Sequence, residues 1–235
     1  MTESIKVSDS QAHRGSLSAI LGVSVKPELL DLALTHRSFA YENGGIPHNE
    51  RLEFLGDSVL GLATTTELYR VYPQLPEGEL AKMRSAVVST VALSLVARDL
   101  GLGQFLKLGR GEELTGGRDK ASILADTVEA ILGAVYLDRG MAEAEALVLR
   151  LVRPLLADPV RMSAANDPKT ALQEIAAARS VPPPQYEITS SGPDHNRSFT
   201  ATVTVGHLAT ATGTGTSKKH AEMAAALRAW THLSS

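Results

Sequence analysis

The sequence predicts an all-α domain followed by a small α+β domain of order α-β-β-β-α. Three observations carry this expectation. From about Ser16 to Leu156 apolar residues recur at three- and four-residue spacing, as in Leu52, Leu55, Val59 and Leu62, the period of a helix with one buried side. Beyond Asp167 the period falls to two over several short runs, the pattern of half-buried strands. Between them PLLADPVRMSAAND, from Pro154 to Asp167, loses periodicity and gathers small residues and prolines, as an interdomain linker does. The division expected is therefore residues 1–156, a linker at 157–166, and residues 167–235.

Within the first region, glycine and proline cut the helical pattern near Lys26–Pro27, Gly44–Pro47, Pro73–Pro76, Gly101–Gly103, Gly116–Gly117 and Gly140, which gives about seven helices and no strand. In the second, Asp167 followed by Pro168 reads as an N-cap with proline at the first helical position, opening a helix to about Arg179. Tyr186 and Ile188, then Phe199, Ala201, Val203 and Val205, then Leu208 mark three strands. Ser217 caps a last helix whose apolar members include Met223, Ala224, Leu227 and Trp230.

A chain of 235 residues with 43% hydrophobic and 21% charged residues has ordinary globular usage, against disorder or low complexity. The absence of cysteine excludes disulfides, thiolate nucleophiles, zinc on sulfur and iron–sulfur clusters. The charge-free apolar run Ala86–Ala97 is too short to cross a membrane, and the first fifteen residues lack the apolar core of a signal peptide. A cytoplasmic protein without a membrane partner is expected. Net charge is −3, but residues 1–165 carry −4 and residues 166–235 carry +1, so any binding to phosphate needs a local patch. Ten aromatic residues are too few for a surface that stacks the successive bases of a single strand.

RLEFLGDSVLGLA reads as apolar nearly all round, yet it places Glu53 and Asp57 four residues apart on one helix face. ASILADTVEAILGAVYL is more apolar still, and its Asp126 and Glu129 share a face at i and i+3. Buried carboxylates cost several kcal/mol unless paired, protonated or bound to a cation. Four oxygen donors without thiol or histidine suit a hard divalent cation, Mg²⁺ or Mn²⁺. The competing readings are core salt bridges to Arg51, Arg84 or Arg118, and a di-iron bundle, for which the usual Glu-x-x-His pairs are missing. Glu50, one turn before Glu53, and Glu77, just after Pro76, serve a helix dipole as well as a site. Gly56 reads as a packing glycine, and His36 as a structural histidine.

NERLEFLGDSVL at Asn49–Leu60, THRS at Thr35–Ser38, PEGEL at Pro76–Leu80 and ADTVEAILGAVYLD at Ala125–Asp138 together resemble bacterial ribonuclease III, and the last seventy residues resemble that family's double-stranded RNA-binding domain. The resemblance implies a homodimeric helical endonuclease that cleaves double-stranded RNA with Mg²⁺, leaving 5′-phosphate and 3′-hydroxyl ends with short 3′ overhangs, and no organic cofactor. It places Glu53, Asp57, Asp126 and Glu129 on the metal-binding and catalytic carboxylates and Glu50 and Glu77 on two accessory acidic positions. It places Phe54 on an aromatic inserted into the partner subunit, where the bland reading is core packing. The chemistry is consistent, because hydrolysis of a phosphodiester needs an activated water and relief of charge on the phosphate and the leaving oxygen, which a carboxylate-held cation supplies.

A duplex reader needs contacts to 2′-hydroxyls and to phosphates. Gln173 and Glu174 on the first helix of the small domain, and His195 in the loop after the first strand, suit the minor groove; Lys218 and Lys219 behind Ser217 suit phosphate. Lys218 and Lys219 alone would be an ordinary solvated pair. Thr216 stands where many relatives carry lysine, so weaker RNA binding that leans more on the dimer is expected.

Overall fold

A computed structural model describes residues 16–157, 164, 167–192 and 197–234. The expected linker lies for most of its length outside the described residues, as does His195. Contacts group the chain into two compact units that part after Ala157.

The first unit is helical. A helical stretch through residues 16–21 precedes α1 (Pro27–Ala33), α2 (Arg37–Glu42), α3 (Glu50–Val71), α4 (Glu77–Val87), α5 (Thr90–Asp99), α6 (Arg110–Leu114), α7 (Ala121–Arg139) and α8 (Met141–Leu156), with 3₁₀ turns at Leu102–Phe105 and Gly117–Asp119. Nine α-helical segments among the described residues of this unit exceed the seven expected because two breaks carry neither glycine nor proline. Between α1 and α2, Thr35 forms an isolated parallel bridge to Lys107, and the His36 N–H donates to the Lys107 carbonyl at 3.1 Å. A break that depends on a partner seventy residues away has no local signature. Between α4 and α5, Ser89 Oγ accepts from the Ala92 N–H at 3.2 Å and caps the new helix.

α7 is the centre of this unit because nearly every side of it is apolar: Ile123, Leu124, Val128, Ile131, Leu132 and Val135 are all buried, with α1, α3, α5 and α8 packed around it. α3 is its main partner. A Cβ built on Gly56 would lie 1.7 Å from the Glu129 carbonyl oxygen, and one on Gly133 would lie 2.3 Å from that of Leu52. Glycine at both positions lets the two backbones touch, so Gly56 is the packing glycine its setting suggested. The reading of α3 as buried nearly all round is corrected. Leu52 and Val59 are core, Leu55 is half-buried, and Phe54, Asp57, Ser58 and Leu62 face outward. The apolar residues on that outer face mimic a core pattern in the sequence.

The second unit comprises α9 (Pro168–Ala178), β1 (Gln185–Ser191), β2 (Ser198–Val205), β3 (Ala209–Gly215) and α10 (Lys218–Ser234). Asp167 caps α9 by accepting from the Thr170 N–H at 3.1 Å, with Pro168 at the first position. The strands form an antiparallel meander in which Tyr186 opposes Val203 and Ile188 opposes Ala201. Leu208 lies in the turn before β3 and not in a strand. α10 buries Ala221, Ala225, Ala226, Ala229 and Trp230, while Met223, Ala224 and Leu227 are half-buried. Small residues face the sheet because a Cβ on Gly213 would lie 2.2 Å from the Ala225 nitrogen, an approach that leaves no room for longer side chains. Among the described residues no single helix is long and apolar enough to cross a membrane.

Gly56→Ala must push α3 off α7, because the obstacle is backbone and cannot rotate away. Overpacking of this kind costs roughly 1–3 kcal/mol or more. A fall in melting temperature of several degrees is expected, and an unchanged melting curve would contradict the crossing described.

Candidate active site

Asn49, only 2% exposed, precedes α3, and its Nδ2 donates to the Ala33 carbonyl at 3.4 Å, so the entry to the helix is tied to α1. The first turns of α3 carry Glu50 and Glu53, and one turn beyond lies the Gly56 crossing, opposite the Glu129 backbone. That crossing brings Glu53 beside Asp126 and Glu129. One carboxylate oxygen from each of the three lies within 4.8 Å of the others, and all three residues are half-buried.

Asp57 is exposed and is not among these three, yet its charge is the largest electrostatic influence on Glu129 after burial. The Glu129 carboxyl is pushed up to about 8 by burial first, then by repulsion from Asp57, Asp126 and Glu53. Glu53 is raised by burial and by Asp126 and Glu50. Asp126 is raised by burial, with the Arg37 guanidinium opposing the rise. Three carboxylates that resist ionisation together, with oxygen donors only, match a hard divalent cation, whose charge would hold all of them ionised.

The three arginines considered as core partners are engaged or placed elsewhere. Arg51 is exposed, Arg84 donates to Thr65 Oγ1 at 3.3 Å, and Arg118 is held by Glu113 and by the Gly103 and Leu106 carbonyls. Glu50 is paired with Arg37 at 3.4 Å and has His48 Nδ1 at 3.8 Å. Glu77 stands apart from the three carboxylates, exposed in the first turn of α4, where it lines a separate cavity of about 380 Å³ with Leu68, Tyr69, Leu75 and Arg84. Phe54 is 79% exposed, which removes core packing within the chain as its role. His36 Nδ1 accepts from the Ser38 N–H at 3.2 Å and caps α2, and burial holds its pKa below the usual value. The sequence reading gave no role to Arg37, Glu112 or Lys120, which line a polar cavity together with Glu53 and Asp126. The available signal was Lys120, the last charge before the acidic helix.

In the second unit Gln173 and Glu174 are exposed on α9, and Lys218 and Lys219 are exposed at the start of α10, which packs against α9. Ser217 Oγ accepts from the His220 N–H at 3.2 Å, the cap expected there. Thr216, also exposed, places its hydroxyl 3.4 Å from His220 Nδ1.

A family profile described as Ribonuclease-III-like matches residues 26–155, more than half of the chain, and one described as double-stranded RNA binding motif matches residues 168–233. Ribonuclease 3 of Leifsonia xyli subsp. xyli is 66% identical over 220 residues, covering 94% of this chain and 93% of its own. The chain belongs to the ribonuclease III family. Ribonuclease 3 of Thermobifida fusca is 59% identical, over 94% of this chain and 92% of its own. Among solved structures, the nuclease domain of ribonuclease III from Campylobacter jejuni, described for flexibility in a region involved in dimer formation, is 40% identical with a TM-score of 0.56. It covers 59% of this chain and 95% of its own. The helical unit and the three-stranded unit therefore stand as the family's nuclease and double-stranded RNA-binding parts.

The raised Glu129 carboxyl has a thermodynamic consequence. Its folded pKa of about 8 lies above the ordinary 4.5, so the folded state binds the extra proton and stability falls as pH rises from about 4.5 to 8. Melting of the metal-free protein is expected to fall across that window and to recover on addition of Mn²⁺, and Glu129→Gln should flatten the fall. A metal-free protein equally stable at pH 5 and pH 8 would contradict the placement of Glu129.

Proposed function

We propose that Glu53, Asp126 and Glu129 hold a divalent cation, Mg²⁺ with Mn²⁺ as a substitute, and that Asp57 completes the catalytic set from the exposed rim beside Glu129. The observation that carries this reading is the meeting of three half-buried carboxylates, one oxygen from each within 4.8 Å of the others. The protein is a double-strand-specific endoribonuclease of the ribonuclease III family. When bound, the cation supplies an activated water, neutralises charge on the phosphate and stabilises the leaving 3′ oxygen. The chain's own residues fix its place. α7 supplies two carboxylates from one face, α3 supplies Glu53, and Asp57 accepts a hydrogen bond from the incoming water. The products expected are 5′-phosphate and 3′-hydroxyl ends with short 3′ overhangs, made in the cytoplasm during RNA processing and decay.

Overhangs require a cut on each strand, and a homodimer supplies two centres. Phe54, exposed on α3, is assigned to the dimer interface, and Glu50 and Glu77 to accessory acidic positions. Gln173, Glu174, His195, Lys218 and Lys219 are assigned to the RNA duplex, with the nuclease domain at residues 1–156, a linker at 157–166 and the RNA-binding domain at 167–235.

Glu129→Gln preserves shape and removes one charge from the metal shell. Cleavage in Mg²⁺ should fall by at least about 100-fold, roughly the loss typical of removing a group that acts on the transition state. Binding of the same duplex in a gel shift should stay within a few-fold. Cleavage near the wild-type rate would refute the ligand role, and joint loss of binding and cleavage would refute the separation of the two tasks. Phe54→Asp should shift the sedimentation coefficient of the protein from dimer toward monomer at micromolar concentration, and a variant as dimeric as wild type would remove Phe54 from the interface.

A further inference from the structure

Beside the three carboxylates the helical unit opens into a polar cavity of about 510 Å³. Glu53 and Asp126, two of the three carboxylates, line it together with Glu50 and Glu112, and so do Arg37, Lys120 and His36. Both cations sit in ion pairs within the cavity. Arg37 Nη1 lies 3.4 Å from Glu50 Oε1 with both side chains largely exposed, and Lys120 Nζ, itself 54% exposed, donates at 2.9 Å to the half-buried Glu112 Oε1. The Arg37 pair is open enough to break at little cost, and the Lys120 pair is the tighter of the two.

His36 is fixed in a useful state. Because its Nδ1 accepts from the Ser38 N–H, the neutral ring carries its proton on Nε2, and Ser38 Oγ is in turn held by the Gly109 N–H at 2.9 Å. The cavity therefore combines a guanidinium, an ammonium and an imidazole with four carboxylates, of which a cation held by Glu53 and Asp126 would neutralise two. Such a donor set matches a phosphodiester, to which arginine presents a planar fork and lysine a point charge.

We propose that this cavity receives a backbone phosphate adjoining the bond to be cut, with Arg37 and Lys120 leaving Glu50 and Glu112 to hold it and His36 donating from Nε2. They are positioning residues, which align the RNA strand over the metal centre, and the two glutamates hold the cations ready in the free protein. The proposal rests on the reading of Glu53, Asp126 and Glu129 as the cleavage centre.

The test uses the full-length protein in excess over a short duplex with one cleavage site, in Mg²⁺, so that the chemical step is read without turnover. Lys120→Ala, Lys120→Gln and Arg37→Ala should each slow that step roughly 10- to 100-fold, the loss expected for one charge-assisted hydrogen bond. Lys120→Arg should retain most of the rate, and duplex affinity in a gel shift should change by less than a few-fold. A series of duplexes then carries a neutral methylphosphonate at each linkage around the cut in turn. At one flanking linkage it should slow wild type but slow Lys120→Ala no further, a coupling that a merely structural lysine would not produce.

Binding of Mn²⁺ to the RNA-free variants should be unchanged or tighter, because a neighbouring cation has been removed. Variants that cut at the wild-type rate, penalties that multiply at every linkage, or weakened Mn²⁺ binding would each overturn the proposal. If wild type itself leaves the duplex uncut, the cleavage-centre reading fails and the proposal falls with it; if wild type cuts and the variants cut as fast, the phosphate cavity alone is wrong.

Discussion

The helical domain depends on one close contact, the crossing of α3 and α7 at Gly56 and Gly133. Both helices carry carboxylates that repel one another, and separate placement would relieve the repulsion. The crossing forbids this. With the Glu129 carbonyl oxygen 1.7 Å from where a Gly56 Cβ would stand, the helices are locked at a distance that presses Glu53 toward Asp126 and Glu129. Burial of the apolar residues of α7 supplies the force, and the cost appears as three raised carboxyl pKa values, raised by burial first and then by neighbouring carboxylates. Oxygen donors gathered in this way match a divalent cation.

Much of this was legible in the sequence because charge within an apolar helix is rare. Asp126 and Glu129 stood out against their neighbours, and Gly56 between Leu55 and Asp57 signalled the crossing. Other features stayed hidden for physical reasons. Asp57 and Leu62 share a helix with core residues, and periodicity cannot separate a face buried in the core from an apolar face left outward, so both were read as interior although both are exposed. The break between α1 and α2 rests on the bridge from Thr35 to Lys107, a long-range pairing. In α10 the larger apolar residues drew attention, but the close approach of Gly213 of β3 favours alanine against the sheet. Arg37, Glu112 and Lys120 lie on three separate segments, and only the fold joins them around one cavity.

Charge is unevenly spread along the chain, −4 over residues 1–165 and +1 over residues 166–235. The chain is acidic overall, and Glu53, Asp126 and Glu129 gather three carboxylates at one place, which by themselves repel phosphate. Positive charge is local. Lys218 and Lys219 stand exposed at the start of α10, and Arg37 and Lys120 line the cavity that Glu53 and Asp126 also line, so a net charge of −3 is compatible with a polyanionic substrate.

The central claim is that the glycine crossing assembles a cation site from Glu53, Asp126 and Glu129. Anomalous diffraction from crystals of the protein soaked in Mn²⁺ tests it directly. A manganese peak is expected within ordinary metal–oxygen distance, about 2.0–2.3 Å, of all three carboxylates. A peak held by other residues, or none at millimolar Mn²⁺ with the three side chains ordered, would contradict it.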